Sequence, residues 1–230
     1  MNNKKLGFSF LPNIRGLKIQ NEENLFPVAR IFCIAKNYIK HADEMQSQVE
    51  ENEPYFFSKY PESITQVEKM NFPHNTELLH HEVELVVFLK DGGKNIPKEK
   101  AKDCIFGYAV GVDLTKRDLQ FKAIENGNSW EISKSFFQSA PISKIKQLEG
   151  EIISNKKIIL SINGEEKQSA NIDDMVWKID DLISFLSKYN TLKSGDIIFT
   201  GTPEGVGAID KGDTLNASIE DIGEMQIVIQ

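Results

Sequence analysis

His81-Glu82-Val83-Glu84-Leu85-Val86-Val87-Phe88-Leu89-Lys90 is the stretch from which the fold can be read. In an extended chain Val83, Leu85, Val87 and Leu89 fall on one face, and Glu82, Glu84, Val86 and Phe88 on the other. The segment therefore predicts a strand. Its two glutamates, at i and i+2, project their carboxylates to the same side. If that side is buried, their repulsion needs a cation to relieve it. With a third oxygen ligand and waters they form a set that Mg²⁺ or Mn²⁺ accepts. On spacing alone, the solvated outer face of an edge strand is the commoner arrangement. Asp113 shifts the balance, because it ends the apolar run Gly107–Val112, where a lone carboxylate is either a helix N-cap or a ligand.

Outward from this strand, Leu17–Ile19, Arg30–Ala35 and Pro54–Phe57 read as further strands, and Phe106–Asp113 as another. Asn37 to about Glu50 is polar and reads as an exposed helix that could act as a lid. Pro97 opens a short helix through Cys104, its fixed φ suiting a first turn. A second helix is expected from Thr115 to a stop near Gly127. Lys157–Ile162 and Glu165–Ser169 flank Asn163-Gly164, a strong hairpin signal. Asp180–Tyr189 has helical apolar spacing, and strands are expected at Ile197–Thr200, Thr214–Ile219 and Met225–Ile229. Strands outnumber helices, and hairpins outnumber βαβ units. The expectation is an α+β, strand-rich single domain.

The 230 residues are enough to bury a core without disulfides or structural metals. With 40% hydrophobic and 27% charged residues, the composition is that of a folded globular chain. The net charge of −7 contains no basic block, which argues against nucleic acid as a partner. Two cysteines, Cys33 and Cys104, form no C-x-x-C pair, against a zinc ribbon or a secreted disulfide scaffold. No apolar run of membrane-spanning length and no signal-peptide pattern is present, so a cytoplasmic protein without a membrane partner is expected. Of the 27 basic residues only Arg15, Arg30 and Arg117 are arginine, so an arginine here is a candidate chemical requirement.

Three further features could carry chemistry. His41 and Glu44 are three apart on a helix and share a face. A carboxylate beside an imidazole orients it as a general base, although spacing alone favours a surface pair worth little. Lys134 is one lysine among many. Gly201-Thr202-Pro203-Glu204-Gly205-Val206-Gly207 is glycine-rich but has neither the ending of a P-loop nor the Rossmann spacing. Its backbone amides could still cradle a carboxylate.

Taken in order, these stretches resemble the fumarylacetoacetate hydrolase family. The resemblance is carried by Asn37-Tyr38-Ile39-Lys40-His41-Ala42-Asp43-Glu44, by Leu79-His80-His81-Glu82-Val83-Glu84-Leu85 and by Gly107 through Gln120. It continues in Lys134-Ser135-Phe136, Asn163-Gly164-Glu165 and Ser194 through Pro203, and so covers nearly the whole chain from about Arg30. Within the family the chain is most similar to the short acylpyruvase and oxaloacetate decarboxylase or tautomerase branch. The resemblance implies a mixed β-roll catalytic domain over residues 30–230, with residues 1–29 packed on it, a homodimer and a divalent metal, usually Mg²⁺ (Mn²⁺ or Ca²⁺ in its place). It implies Glu82, Glu84 and Asp113 as metal ligands, His41 and Glu44 as a lid-borne catalytic dyad, and Lys134 as the cation facing the substrate. Arg117, Gln120 and Thr202 would contact the substrate. The implied reaction passes through the enolate of a 2-oxo acid: acylpyruvate hydrolysis, or oxaloacetate decarboxylation or tautomerisation. Alternatives are an isomerase or decarboxylase of aromatic meta-cleavage products and a catalytically silent ligand-binding homologue. Two departures bear on specificity. Ala35-Lys36 stands where the family usually has glycine followed by arginine or another residue, and Gln138 replaces an acidic residue or threonine.

Overall fold

The computed structural model describes residues 13–45, 49 and 53–230. The strand Val83–Leu89 lies inside a six-stranded sheet, with Ile105–Val112 antiparallel on one side and Asp196–Phe199 antiparallel on the other. Lys146–Gln147 extends the sheet beyond Ile105–Val112. On the far side Arg30–Ala35 pairs parallel with Asp196–Phe199 and is followed by Tyr55–Lys59. All seven residues of Val83–Leu89 are buried, which removes the solvated-edge alternative.

The expected alternation divides two cores. Val83, Leu85, Val87 and Leu89 enter the larger one, while Val86 and Phe88 enter a smaller one with Leu17, Phe26, Ile31 and Phe199. The larger core is closed by a five-stranded sheet ordered Glu165–Asn171, Lys157–Ile162, Thr214–Ile219, Gly223–Ile229 and Lys69–Met70. Ile158, Leu160, Leu215 and Ile227 contribute its inner face. Each such aliphatic side chain, fully buried, contributes about 1.5–3 kcal/mol, so the two-layer packing dominates stability. The smaller core draws Leu17 and Phe26 from the hairpin Gly16–Lys18 and Leu25–Pro27. The fold is α+β and strand-rich. No helix among the described residues is long and apolar enough to cross a membrane.

Among the described residues four α-helices decorate the sheets: α1, Ile39–Glu44; α2, Arg117–Glu125; α3, Glu131–Lys134; and α4, Ile179–Tyr189. The α4 stripe of Leu182, Ile183, Phe185 and Leu186 packs into the larger core, as its spacing predicts. Helix α2 starts two residues later than expected, because Thr115–Lys116 pairs with Leu79–His81 before the chain turns into the helix. Lys98–Cys104 is a 3₁₀ helix. The expected polar helix from Asn37 is corrected. It is a short α1 whose residues His41 and Ala42 are buried, so it is not an exposed element throughout; positions 46–48 and 50–52 lie outside the described residues.

The hairpin at Asn163-Gly164 has φ of 53° and 86° at its two central residues, the left-handed pair that a type I′ turn demands. A bulge between Leu160 and Ser161 then resets its register, so that Leu160 faces Gln168 while Ser161 faces Glu166. Gln168 is thereby turned inward and buried.

Candidate active site

Glu82 and Glu84 sit where Leu79–His81 hands over to the central strand, and Asp113 directly follows the neighbouring strand. The antiparallel register pairs Glu84 with Gly111 and Val83 with Val112, and the Asp113 amide donates to the Glu82 carbonyl at 2.8 Å. This register brings the three carboxylates together: one oxygen from each lies within 4.8 Å of the others, and all three side chains are buried. Gly111 permits the approach by lacking a side chain, since a Cβ there would lie 2.7 Å from Val86 Cγ2 and 2.9 Å from the Phe199 ring.

Cations surround two of these carboxylates but not the third. Lys134, at the end of α3, places Nζ 2.6 Å from Glu82 Oε2 and 2.9 Å from Asp113 Oδ2. Arg117 pairs with the other Glu82 oxygen and also donates to the Gln120 side-chain carbonyl. Lys59 Nζ lies 2.8 Å from Asp113 Oδ1. Burial pushes the Glu82 carboxyl up, but Lys134, Arg117 and His41 outweigh it and hold it well below the usual carboxylate range. Burial likewise opposes the charge on Lys134, and Asp113 and Glu82 prevail, raising its pKa.

Glu84 makes no ion pair among the described residues; its partner is the Gly201 amide at 2.7 Å. Burial, reinforced by Asp113 and Glu82, raises its carboxyl well above the ordinary value. Gly201 has a φ of +98°, and a Cβ there would meet that of Asn37 at 2.7 Å, so glycine serves both the turn and the contact. Three buried oxygen donors, one of them short of positive charge, fit a hard divalent cation.

The same floor opens into a cavity of about 340 Å³ that His41, Arg117, Gln120, Lys134 and Thr202 also line. His41 Nδ1 is 3.4 Å from Glu44 Oε2, the long end of a hydrogen bond. Glu44 is itself held by the Gly205 amide at 3.2 Å. Burial lowers the His41 pKa against the pull of Glu82 and Glu44, which favours the neutral imidazole that a general base needs. Asn37 anchors the root of α1: its side chain donates to Thr200 O and Trp177 O and accepts from the Trp177 amide, at 2.7–3.0 Å. All nine residues singled out from sequence lie in or directly against this one cavity.

Several contributors were not anticipated. Lys59 is buried among Asp113, the Ser139 hydroxyl and the carbonyls of Leu114, Lys134 and Ser139. Gln168 crosses from the second sheet to accept from the Val83 amide and His81 Nδ1, and donates to Thr202 Oγ1 at 2.8 Å and Pro203 O at 2.9 Å. It thereby orients the Thr202 hydroxyl. His80 accepts from Arg117 Nε at 3.3 Å, and burial with the adjacent guanidinium lowers its pKa to about 4. Lys36, at φ +57°, lines the cavity, and Gln138 has φ +61°. Lys36 and Gln138, one residue from each departure from the family pattern, thus occupy left-handed backbone.

Residues 30–230 match the family model described as the fumarylacetoacetate hydrolase C-terminal domain. The chain is 35% identical to a fumarylpyruvate hydrolase of Ralstonia, over 76% of this chain and 92% of the relative. It is 38% identical to an oxaloacetate tautomerase of Escherichia coli K12, over 85% and 90% of the two chains. Among solved structures, fumarylpyruvate hydrolase from Pseudomonas aeruginosa in complex with Mn²⁺ and pyruvate superimposes with a TM-score of 0.93 at 36% identity, covering 97% of this chain and 99% of that one.

Proposed function

The chain belongs to the fumarylacetoacetate hydrolase family, and from that membership we propose a divalent-metal-dependent enzyme that cleaves acylpyruvates, or tautomerises or decarboxylates oxaloacetate. The observation that carries this reading is the convergence of three buried carboxylates under the cavity that His41 lines. In the hydrolytic reaction, R–CO–CH₂–CO–COO⁻ and water give R–COO⁻, a proton and pyruvate. Glu82, Glu84 and Asp113 would hold the metal. When bound, it supplies Lewis-acid polarisation of the 2-oxo acid.

His41, oriented by Glu44, takes the proton from water as that water attacks the distal carbonyl, and later delivers a proton to the departing carbon. Lys134 supplies fixed positive charge where negative charge develops on the substrate. Arg117, Gln120 and Thr202 orient the 2-oxo acid, with Gln168 holding the Thr202 hydroxyl in place. With oxaloacetate, the same set would move a proton between its keto and enol forms. The same reading, from the family resemblance, takes Mg²⁺ as the metal, a homodimer as the assembly, residues 30–230 as the catalytic unit and the cytoplasm as the compartment.

The test is turnover of acetylpyruvate and oxaloacetate by purified protein with Mg²⁺ or Mn²⁺, and again with EDTA. Absorbance would follow the enol and proton NMR the products. Metal-dependent loss of either substrate above the buffer rate is expected. Rates equal to metal in buffer alone would overturn the proposal.

A further inference from the structure

The cavity above the carboxylates has a polar floor and an apolar wall. Helix α2 supplies both. Arg117 and Gln120 are buried at its base, and Phe121 and Ile124, four and seven residues beyond Arg117, continue the same helical stripe toward the mouth. Phe121 and Ile124 line the cavity while remaining 50% and 52% exposed. Facing groups extend the wall. Trp130 packs edge-on against Tyr55 and Phe57, with ring centroids 5.4 and 5.9 Å apart, and Phe57 lies 5.2 Å beneath Lys134 Nζ. Phe57, Trp130 and Met45 also line the cavity.

We propose that this wall selects the part of the substrate remote from the 2-oxo acid, and that the preferred substituent is a hydrocarbon or aryl group rather than a second carboxylate. The inference rests on the 2-oxo acid reading above and narrows it.

Charge placement supports the choice. Arg117 and Lys134 are both engaged with the carboxylate floor. Among the described residues Lys36 is the lining cation without a hydrogen-bonding or ionic partner. It projects from the strand end before Asn37, at the root of α1, and not from the α2 wall. A distal carboxylate laid along Phe121, Ile124 and Trp130 would lose hydration with no cation on that wall to replace it. A hydrocarbon laid there would remove apolar area of both partners from water.

The test measures binding of oxalate, of straight-chain 2-oxo acids from 2-oxobutanoate to 2-oxooctanoate, and of 2-oxoglutarate to Mn²⁺-loaded protein by calorimetry. In parallel, kcat/KM is measured for acetylpyruvate, benzoylpyruvate and fumarylpyruvate. Affinity relative to oxalate should rise roughly threefold to fourfold per methylene until the wall is covered, and benzoylpyruvate should exceed fumarylpyruvate in kcat/KM. Phe121→Ala should flatten the chain-length series, and Phe121→Asp should reverse its sign. A flat series in the unsubstituted protein would overturn the apolar wall, and tighter binding of 2-oxoglutarate than of 2-oxohexanoate would overturn it and point to Lys36 as a carboxylate receptor. If oxalate also fails to bind, the 2-oxo acid reading falls and takes this inference with it; oxalate binding with a flat series rejects the wall alone.

Discussion

Lys59 Nζ lies 2.8 Å from Asp113 Oδ1 with both side chains removed from solvent. The ammonium stem rises from the sheet's last strand, Tyr55–Lys59, and its head also meets the Ser139 hydroxyl at 2.9 Å. Replacing one member of a buried pair strands the other charge, at a cost of about 3–5 kcal/mol. Lys59→Met should therefore lower metal-free stability by that order in urea denaturation. A change below about 1 kcal/mol would mean that water or Lys134 already satisfies Asp113.

Glu84 gives the metal-free protein a pH dependence of definite sign. Its folded carboxyl is raised by burial, then by Asp113 and Glu82. Such a group contributes stability below its unfolded value, and the contribution is lost as pH rises through the folded one. In EDTA, melting temperature should fall more steeply for the unsubstituted protein than for Glu84→Gln as pH rises above the ordinary carboxylate range. Mn²⁺ at a hundredfold its dissociation constant should add about 2.7 kcal/mol to the unsubstituted protein and almost nothing to Glu84→Gln. Equal stabilisation of the two proteins would remove Glu84 from the ligand set.

The central strand shows what sequence can and cannot carry. Its alternation gave the faces correctly, because side-chain direction in a strand is a local property. Whether Glu82 and Glu84 face solvent is not local: it depends on Ile105–Val112 and Asp196–Phe199 arriving on either side. Asp113 could be matched to them only through the family motif. Lys59 and Gln168 had no signal of their own. One is a lysine among 24, and the other reaches the site through a bulge that no periodicity announces. The exposure expected of α1 fails at His41 and Ala42, because polar composition alone does not tell which face of a helix packs inward.

For His41, burial lowers the pKa. If the neutral ring is the base, kcat/KM for an acylpyruvate should stay level down to pH values below about 6.5, the ordinary histidine value. His41→Ala should reduce hydrolysis by about 10²–10⁴, and should reduce oxaloacetate decarboxylation far less, because that reaction needs no activated water. Equal losses in both reactions at unchanged metal occupancy would assign His41 to substrate binding.

Gln168→Leu leaves the Val83 amide, His81 Nδ1 and the Thr202 hydroxyl without the amide that joins them. Each buried group stranded in this way costs about 1–3 kcal/mol. Thermal stability should fall, and KM should rise more than kcat falls, because Thr202 loses its orientation. Retention by Gln168→Glu of stability but not KM would place the effect in the Thr202 bond. An unchanged KM in Gln168→Leu would separate the amide from substrate binding.

The bulge beside Leu160 ties an element remote from the chemistry to the active site through a single register. Lys167 is the extra residue between the Ser161–Glu166 and Leu160–Gln168 pairs, so removing one residue between Gly164 and Lys167 would close the bulge and leave Gln168 opposite Leu160, whereas a one-residue slip of Gln168 against Leu160 would carry the amide to the outer face and away from Thr202. Adding or removing two residues symmetrically at the Asn163-Gly164 tip preserves the facing and lengthens or shortens the hairpin in solvent. The tip of this arm should therefore tolerate changes of length while the Leu160–Gln168 pairing does not tolerate a slip, so that an apparently peripheral loop is constrained by register rather than by composition.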